Sequence, residues 1–592
     1  MIWTKLKNNW PLLVLVLLQG LVLFYDYLKI PFSHDELSAI DRCRFGNLKD
    51  LIQQGIMPDG HPAGVQLFLY TLIHWFGINE WILKLPFVLA GIGSLCLIYQ
   101  ISVLLFNRYA AVTASIIFIF QSYYISQIVV ARPYSFGLFF TLGMVYFCLK
   151  IKAKPSVKLP YLYLFIFTLG AFYTHYFSFL QGLIILFCYY LFYYERFHNR
   201  YFYFSVLGAV LCFIPHLGIT IHQLGMGGLE WLSTPTIDFF SGFLYQYFNS
   251  NFGLLIVGVL LISLGIFVKC KSKKRKPILL ILTLFPLVIL YSYSIIRAPV
   301  LQAPALFFCT PYLLILGGNG INYFKNYFKI TSLLLFTIYS GYVLIIENKF
   351  YSLRNYQPIE KFVLQSQENL KNNKHGKTLV IWSGNSHYIA YYLKKYNFQN
   401  SIIATDTLKN IAQINLENYD AILCNQLAPQ LLYYLKNGFP FVQSREDNLL
   451  YTCMTLTRSA SAKKLFSNPV KLQFAFDTAL EWSKVSYQYK LDSLIKTPYH
   501  FIEFAPLIDS TIKGAELVLE TYKGEERIDW RSVYLEPGQL LSLKVKDVIK
   551  EFASDLRIKV YIWNSDKVYV KPIAVNMTIR VDNPNEYIFR PN

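Results

Sequence analysis

The chain has 592 residues, of which 54% are hydrophobic, 17% aromatic and 15% charged. Soluble globular proteins carry roughly 25% charged residues, so this composition argues against a single water-soluble assembly and excludes disordered, collagen-like and disulfide-scaffold classes. Residues 1–350 hold 36 charged side chains and residues 351–592 hold 54. The first part therefore has the composition of a membrane protein, and the second has that of a soluble protein.

The formal net charge of +20 lies mostly in the membrane part, which has 25 Lys and Arg against 11 Asp and Glu. An excess of positive charge in short loops is typical of the cytoplasmic side of membrane proteins. It weakens the interpretation of the basic composition as a nucleic-acid surface. We therefore expect membrane lipid, and no nucleic acid, among the partners.

A hydrocarbon core about 30 Å thick needs roughly 20 apolar residues of helix. Eleven apolar runs approach this length: 10–28, 82–106, 110–129, 134–149, 159–176, 177–194, 201–219, 252–268, 277–296, 301–318 and 331–347. Asp26 and Tyr27 follow the first run in place of a small-residue cleavage site. We therefore expect a retained anchor and not a signal peptide.

Residues 62–77 form a further apolar run of only 16 residues, which contains Gln66 and His74. If this run lies in the interface without crossing, the loops on one side hold 17 Lys and Arg and the opposite loops hold about six. If it crosses, the basic cluster at 269–276 faces outside. The positive-inside rule therefore predicts eleven crossings, one interfacial helix, a cytoplasmic N-terminus and an exported C-terminal part.

Three domains are predicted, with boundaries at 1–350, 351–458 and 459–592. Strands and helices alternate in the second, which predicts a small α/β domain with a parallel sheet. Segments of period two separated by turns predict a β-sandwich in the third. Such sandwiches often bind sugar on aromatic surfaces, but a packed core is the interpretation that we favour for Trp530 and Trp563.

On the predicted topology, ionisable side chains gather at the exterior ends of the helices, while the helix centres are nearly free of charge. The first exterior loop carries Asp35-Glu36 and Asp59-Gly60-His61-Pro62, and later exterior positions carry Arg132, Tyr134, His175, His222 and Arg297. A transport pathway would more typically place ionisable residues at mid-depth in the bilayer. The layout indicates a catalytic site at the membrane boundary.

Asp35 and Glu36 are the candidate catalytic residues. Partial burial and mutual repulsion would make one of them a stronger base, as proton abstraction from a hydroxyl requires. The alternative is a solvated helix start that Ser33 and Asp35 cap. Arg132 could bind a lipid phosphate bidentately, or it could be an ordinary snorkelling arginine at a helix end.

His175 and His222 have two interpretations that stay open. They could be metal ligands or proton-transfer groups, or they could be amphipathic anchors at the interface. His61-Pro62 could fix the entry of the interfacial helix, because a proline in the first turn lacks only an amide that would be unpaired anyway.

These motifs resemble the GT-C superfamily of integral-membrane glycosyltransferases, in particular the bacterial branch related to protein O-mannosyltransferases and lipid A aminoarabinose transferases. The resemblance rests on four motifs that occur in order on one predicted face: Asp35-Glu36, His61-Pro62, Ala131-Arg132-Pro133-Tyr134 and Tyr173-Thr174-His175-Tyr176-Phe177. It covers the first 350 residues, so it says little about the soluble domains.

The resemblance implies a polytopic α-helical fold of GT-C type, a polyprenyl-phosphate-linked sugar donor, an exported active site and an inverting transfer to an envelope acceptor, whether lipid, glycan or protein. Asp35 would then be the base or the acceptor-orienting residue, with Glu36 beside it. The implied substrate-binding residues are His61, Arg132, Tyr134, His175, His222 and Arg297.

Two departures from the family pattern are apparent. Ala63 stands where a second proline is usual, and Ala303-Pro304-Ala305 stands where Pro-Arg-Tyr is usual. The arginine expected there is therefore missing, and Arg297 is a candidate substitute. The sequence identifies no cofactor with certainty, and the participation of a divalent metal ion stays open.

The resulting hypothesis is a polyprenyl-phosphate-dependent glycosyltransferase of a bacterial inner membrane, with its C-terminal domains in the periplasm. A transporter or flippase of lipid-linked glycans is one alternative, although it would need charged or broken helices at mid-bilayer and usually internal symmetry. A non-catalytic membrane scaffold that anchors the β-sandwich is the other alternative.

Overall fold

The computed structural model describes residues 2–227, 232–270, 272–371, 377–408, 414–447, 452–475, 480–548 and 555–581. The chain divides into two compact units, Met1–Gln357 and Pro358–Asn592. The first unit is helical. The second contains all of the described sheets, and it holds both of the predicted soluble domains, so the boundary predicted at residue 458 stays a prediction.

The α-helices of the first unit are Ile2–Phe24 (α1), His34–Asp41 (α2), Leu48–Asp50 (α3), Ala63–Phe76 (α4), Glu80–Leu105 (α5), Arg108–Phe120 (α6), Ser122–Ile128 (α7), Pro133–Ala153 (α8), Leu159–Thr174 (α9), Tyr176–Phe192 (α10), Tyr194–Phe197 (α11), Arg200–Phe213 (α12), Leu217–Gly225 (α13), Asp238–Tyr247 (α14), Phe252–Phe267 (α15), Arg275–Ile296 (α16), Thr310–Gly320 (α17), Asn326–Tyr342 (α18) and Phe350–Arg354 (α19). Short 3-10 and π segments connect several of them.

Among the described residues, six helical stretches are long and apolar enough to cross a membrane, and the number rises to eight if two bent pairs each count as one span. The six are Trp10–Lys29, Glu80–Leu105, Pro133–Ala153, Arg200–Gly225, Arg275–Ile296 and Asn326–Glu347. The first unit therefore has the helices of a multi-pass membrane protein. The predicted number of eleven crossings is not confirmed.

The difference arises where apolar runs contain a break. The run predicted at 110–129 is two helices, α6 and α7, which meet at extended Gln121 with a bend of 68°. Residues 159–194 form α9 and α10, which are 16 and 17 residues long and meet at His175. The run predicted at 301–318 begins as a 3-10 helix, Ala303–Phe308. A hydropathy profile counts apolar residues and does not detect such breaks in a helix.

Asparagine residues begin several of the long helices. Asn79 accepts the backbone N–H groups of Trp81 and Ile82 at the start of α5, and Asn107, Asn199 and Asn251 cap α6, α12 and α15 in the same way. An asparagine at this position satisfies donors that have no partner inside the helix. Close packing of α15 on α17 depends on Gly265, because a Cβ there would overlap the backbone of Leu316.

The second unit begins with the helix Pro358–Lys371 (α20) and a six-stranded sheet. Its strands are Thr378–Trp382 (β1), Ile402–Ala404 (β2), Ala421–Asn425 (β3), Phe441–Asp447 (β4), Thr452–Thr457 (β5) and Lys463–Lys464 (β6), and its further helices are Ser386–Lys395 (α21) and Pro429–Leu435 (α22). The strand order is β2-β1-β3-β5-β4-β6. Only β1, β2 and β3 pair in parallel, and the other pairs are antiparallel. The sheet predicted as parallel is therefore mixed.

The remaining strands form two antiparallel four-stranded sheets. They are Val470–Phe474 (β7), Tyr487–Lys490 (β8), His500–Leu507 (β9), Ile512–Lys523 (β10), Glu526–Leu535 (β11), Leu541–Lys544 (β12), Leu556–Trp563 (β13) and Ile573–Val581 (β14), with short helices Leu491–Leu494 (α23) and Val545–Val548 (α24). One sheet has the order β11-β10-β13-β8 and the other β12-β9-β14-β7. Buried apolar residues of both sheets share one core, so the predicted β-sandwich is confirmed.

Candidate active site

The acidic pair lies at the first turn of α2. Ser33 is the N-cap: its Oγ accepts the backbone N–H of Glu36 at 3.3 Å, and the Glu36 carboxylate accepts the backbone N–H of Ser33 at 2.8 Å. This reciprocal capping box fixes the start of the helix. The capping alternative was thus half right, because the partner of Ser33 is Glu36 and not Asp35.

Glu36 is completely buried and has a partner for each oxygen. Its Oε2 accepts from Nζ of Lys84 at 2.9 Å, and its Oε1 accepts the backbone N–H of Ala131 at 2.7 Å. Lys84 is equally buried and also donates to the carbonyl oxygen of Pro31 at 2.7 Å. Buried charges need this degree of pairing. The Glu36–Lys84 pair therefore connects α2, α5 and the segment that leads into α8.

Asp35 has the opposite environment. It is exposed, whereas Glu36 beside it is buried. Its charge acts on Tyr134, which also lies within electrostatic range of Arg132 and Asp59. Asp35 and Arg132 therefore both lie near Tyr134, and Asp35 is exposed to an approaching group.

A second carboxylate, Asp59, is buried in the loop before α4. Its Oδ1 lies 2.8 Å from Nη1 of Arg42 and 3.2 Å from Nδ1 of His61, and it also accepts the backbone N–H of Gly60 at 2.9 Å. Burial raises the pKa of this carboxyl group, but His61, Arg42 and the charge of Arg132 outweigh that effect and hold the pKa well below its usual range. Asp59 is therefore an anion that orients His61.

Arg132 is the N-cap residue of α8. Pro133 follows it at the first position of that helix, and the residue before a proline is pushed to extended backbone, as observed at φ −133° and ψ 165°. The side chain is only 8% exposed. Among the described residues its guanidinium has no hydrogen-bond or ion-pair partner, and its Nε is fully buried. A buried cation without a partner favours the binding of an anion.

His175 lies between α9 and α10, where its Nδ1 accepts the backbone N–H of Phe177 at 3.0 Å. That hydrogen bond leaves the proton of the neutral ring on Nε2. The ring makes an edge contact with His61, with centroids 4.9 Å apart, and it also packs against Tyr134 and Phe308. The structure thus gathers four of the predicted residues, namely His61, Arg132, Tyr134 and His175.

His222 and Arg297 lie apart from this group. Both are exposed, and Arg297 donates to the carbonyl oxygen of Leu224 at 3.4 Å. Within the described part of the chain, neither has a recorded contact with Arg132 or Asp59. The suggestion that Arg297 substitutes for a missing arginine therefore has no geometric support among these residues.

Two residues that the sequence did not single out hold the loop in place. Nε2 of His216 accepts the backbone N–H of Ala63 at 2.9 Å, at the first turn of α4. The side-chain amide of Gln223 donates to the carbonyl oxygens of Ile56 and His61 at 2.8 and 3.0 Å. The positioning contact thus belongs to Gln223, the immediate neighbour of His222. Only the spacing of His216 and Gln223, two turns apart on one apolar stretch, could have indicated this.

A cavity of about 590 Å³ opens beside the Glu36–Lys84 pair. Ser33, Ser126, Gln246 and Arg354 supply polar groups to its wall, and apolar side chains supply most of the remainder. Asp35 and Arg132 are not among the lining residues. Glu36 and Lys84 themselves line the cavity.

No group of three His, Cys, Asp or Glu side chains in the described segments has the arrangement of a metal site. Asp59 and His61 are adjacent, but the remaining neighbours of Asp59 are Arg42 and a backbone amide. The participation of a metal ion thus stays an open question.

Residues 60–219 match the protein family described as dolichyl-phosphate-mannose-protein mannosyltransferase. The match confirms the resemblance to the GT-C superfamily and contains three of the four motifs, whereas Asp35-Glu36 precedes it. It spans His61, Arg132, Tyr134 and His175. No curated protein sequence matches the chain.

The solved structures that are similar to the chain include the following three. ArnT from Cupriavidus metallidurans bound to undecaprenyl phosphate has 11% identity and a TM-score of 0.49, covering 76% of this chain and 99% of that chain. The archaeal oligosaccharyltransferase AglB from Archaeoglobus fulgidus, in complex with an inhibitory peptide and a dolichol-phosphate, has 10% identity and a TM-score of 0.36, covering 71% and 70%. The arabinofuranosyltransferase AftD from Mycobacteria, mutant R1389S, has 9% identity and a TM-score of 0.41, covering 97% and 61%. At such identities the role of each residue must be argued from the site itself.

Proposed function

We propose that the helical unit is a glycosyltransferase that moves a sugar from a polyprenyl-phosphate carrier to a hydroxyl group of an envelope acceptor. The observation that carries this proposal is that Arg132 is buried, with no hydrogen-bond or ion-pair partner for its guanidinium among the described residues, and that it lies near Tyr134, as the exposed Asp35 does. The guanidinium can bind a phosphate, and the carboxylate can accept a proton from a hydroxyl group. The matched mannosyltransferase family supports the same class of reaction.

Arg132 binds the carrier phosphate in this proposal. A phosphate is a good leaving group only if its growing negative charge is met by cations or donors, and a preorganised buried cation meets it without reorganisation. The planar guanidinium can donate two parallel hydrogen bonds to phosphate oxygens. The ion pair so formed also relieves the burial of an unpaired charge.

Asp35 accepts the proton of the acceptor hydroxyl. The hydroxyl oxygen attacks the anomeric carbon, the bond from that carbon to the phosphate oxygen breaks, and the electron pair leaves with the polyprenyl phosphate. A single displacement of this kind inverts the configuration at the anomeric carbon. The exposure of Asp35 allows the acceptor to reach it.

Glu36 is a positioning residue in this mechanism, although the sequence analysis placed it in the catalytic pair. Its carboxylate is buried and already accepts three hydrogen bonds, so an approaching hydroxyl group cannot readily reach it. Its bonds to Lys84 and to the backbone of Ala131 hold α2 against the residue that precedes Arg132. Asp59 orients His61 beside His175, and these rings form the wall of the site next to Arg132.

The side of the membrane is part of the proposal. The excess of Lys and Arg in one set of loops supports a cytoplasmic N-terminus and a periplasmic face that carries Asp35 and Arg132, in a bacterial inner membrane. The sugar and the acceptor are left open. A scaffold or a transporter of lipid-linked glycans would not need an exposed carboxylate near the residue that binds the carrier phosphate.

Binding of undecaprenyl phosphate to the purified full-length protein in nanodiscs tests the carrier site. We expect Arg132→Gln to weaken binding by about 10- to 100-fold, the usual contribution of hydrogen bonds to a charged group. Arg44→Gln is the matched control, because Arg44 lies in the same part of the chain but is exposed and pairs with Asp41. Equal binding by all three proteins would contradict the proposal.

A further inference from the structure

The sheet β11-β10-β13-β8 has one face that does not pack into the sandwich core. Glu520 of β10 lies opposite Trp530 of β11 and Lys559 of β13. Four residues away, Glu516 lies opposite Tyr534 and Trp563. Residues opposite one another in antiparallel strands point to the same face, so these side chains form two rows on the outer face.

Three large aromatic side chains on this face are strongly exposed. Trp530 is 44% exposed, Tyr534 61% and Trp482 49%. The assignment of Trp530 to a packed core was therefore wrong, because position 530 alternates to the outer side of β11. Clustered exposed aromatic residues commonly mark a binding surface. We call Trp482, Trp530, Tyr534, Tyr561 and Trp563 the aromatic platform.

A polar network surrounds Glu520, which lies opposite Trp530 in the sheet. The side chains of Tyr561 and Glu520 interact electrostatically. The Glu520 carboxylate also accepts from Tyr522 at 2.7 Å and from Arg527 at 2.8 Å. The exposed indole thus rests on a buried carboxylate with several partners. A ring fixed before binding loses little conformational entropy when a ligand arrives.

The other end of the aromatic platform is a pair of stacked indoles. Trp482 forms an isolated β-bridge with Trp563, and the two rings lie 6.0 Å apart with an angle of 17° between their planes. Nε1 of Trp563 is buried and has no partner among the described residues. Buried N–H groups are normally hydrogen-bonded, so this donor is an unsatisfied polar group beneath the exposed ring of Trp482.

We propose that the aromatic platform binds an oligosaccharide. A sugar ring combines apolar C–H faces, which pack on flat exposed rings, with hydroxyl groups, which hydrogen-bond to side chains such as Glu516 and Lys559 between those rings. Neighbouring strands lie about 4.8 Å apart and residues along a strand about 3.3 Å apart, so Trp530 and Trp563 are separated by roughly 16 Å. That distance fits several consecutive sugar units and not one monosaccharide.

The charges of the face favour this ligand over a membrane surface. Glu516, Glu520, Arg527, Arg557 and Lys559 mix both signs around the rings, whereas binding to anionic lipid calls for basic residues on the polar side. The proposed site is independent of the transfer reaction: it would bind a glycan even if the helical unit had no catalytic activity, and its test needs no sugar donor.

Calorimetric titration of the full-length protein in detergent with maltohexaose, cellohexaose, chitohexaose and mannohexaose tests the site. We expect at least one of these to bind, and Trp530→Ala and Trp482→Ala each to weaken that binding by about tenfold. Trp530→Phe keeps a ring for stacking and should bind within a few-fold of the wild type. Tyr569→Ala is the matched control, since Tyr569 is 74% exposed in the same sandwich but lies outside the strands.

Thermal unfolding of each variant shows whether it has folded, and an alanine variant that has not is replaced by the leucine variant, which fills the space but has no flat ring for stacking. Failure of all four hexasaccharides to bind would overturn the proposal, as would equal loss of binding in Tyr569→Ala and Trp530→Ala. A co-sedimentation assay with phosphatidylglycerol and phosphatidylethanolamine vesicles tests the alternative that the aromatic platform binds a membrane surface. Vesicle binding that depends on the platform, without glycan binding, would assign the face to lipid and would also overturn the proposal.

Discussion

The carboxylate of Glu36 accepts the backbone N–H of Ala131 at 2.7 Å, although 95 residues separate the two along the chain. Asp35 precedes Glu36, and Arg132 follows Ala131. One buried hydrogen bond therefore joins the backbone that presents the exposed carboxylate to the backbone that presents the unpaired guanidinium. The proposed reaction depends on this connection, because a base and a phosphate ligand are useful only when both are held in fixed positions.

The first prediction concerns the Glu36–Lys84 pair. Removal of one partner of a buried ion pair leaves the other charge uncompensated, which costs about 3–5 kcal/mol. We expect Glu36→Gln and Lys84→Met each to lower the unfolding temperature strongly, and the double variant to lose less than the sum of the two. Fluorescence-monitored unfolding of the four proteins in detergent measures this. Strictly additive losses would show that the pair is not coupled.

The second prediction compares two neighbouring residues, Gln223 and His222. Gln223→Leu removes both hydrogen bonds to the carbonyl oxygens of Ile56 and His61, so the loop before α4 should become mobile and undecaprenyl phosphate should bind several-fold more weakly. His222→Leu changes an exposed side chain and should leave binding within about twofold. Equal effects of the two substitutions would contradict the positioning role of Gln223.

The third prediction concerns Asp59 and pH. The folded protein holds the pKa of this carboxyl group below its value in the unfolded chain. The corresponding stabilisation is present above the unfolded pKa, near 4, and is lost as the pH falls below that value toward the folded pKa. The unfolding temperature of the wild type should therefore fall more steeply between about pH 5 and pH 3 than that of Asp59→Asn. Parallel curves for the two proteins would show that Asp59 does not contribute, and Asp41→Asn serves as the control.

The fourth prediction concerns the sides of the membrane. Cysteines introduced at Gly46 and Gly225 should react with an impermeant maleimide added outside spheroplasts, and a cysteine introduced at Lys273 should react only after lysis. The native cysteines give the background, which the parent protein measures. Labelling of position 273 from outside would reverse the predicted topology and move the site to the cytoplasm.

The sequence predicted the membrane part, the soluble part and the sandwich, because composition and periodicity are local properties. The resemblance to GT-C enzymes rests instead on short motifs. The sequence did not separate the roles of Asp35 and Glu36, since adjacent residues at a helix start point in different directions and the partner of Glu36 is Lys84, which lies within an apolar run. Contacts of long sequence separation decided which acid is buried. The sequence did not indicate His216, Gln223 or the partners of Asp59 either, because their contacts also join segments that only the fold brings together.

The number of membrane spans and the environment of Trp530 also depend on geometry that the sequence does not show. Hydropathy counts apolar residues, but the bend at Gln121 and the break at His175 depend on backbone geometry within such runs. Trp530 was assigned to the core by residue type, whereas its exposure follows from the register of β11 against β10. A register shift of one residue would have placed it inside.

The central claim is that Asp35 removes the proton of the acceptor while Arg132 holds the carrier. The most direct measurement is the mass profile of envelope glycans and lipid A in cells that express Asp35→Asn, beside undecaprenyl phosphate binding by the purified variant and with Asp41→Asn as the control. The account predicts that one pentose- or hexose-sized increment, present with the wild type and the control, disappears in Asp35→Asn while carrier binding is kept. An unchanged increment in cells whose only copy is a folded Asp35→Asn protein would contradict it.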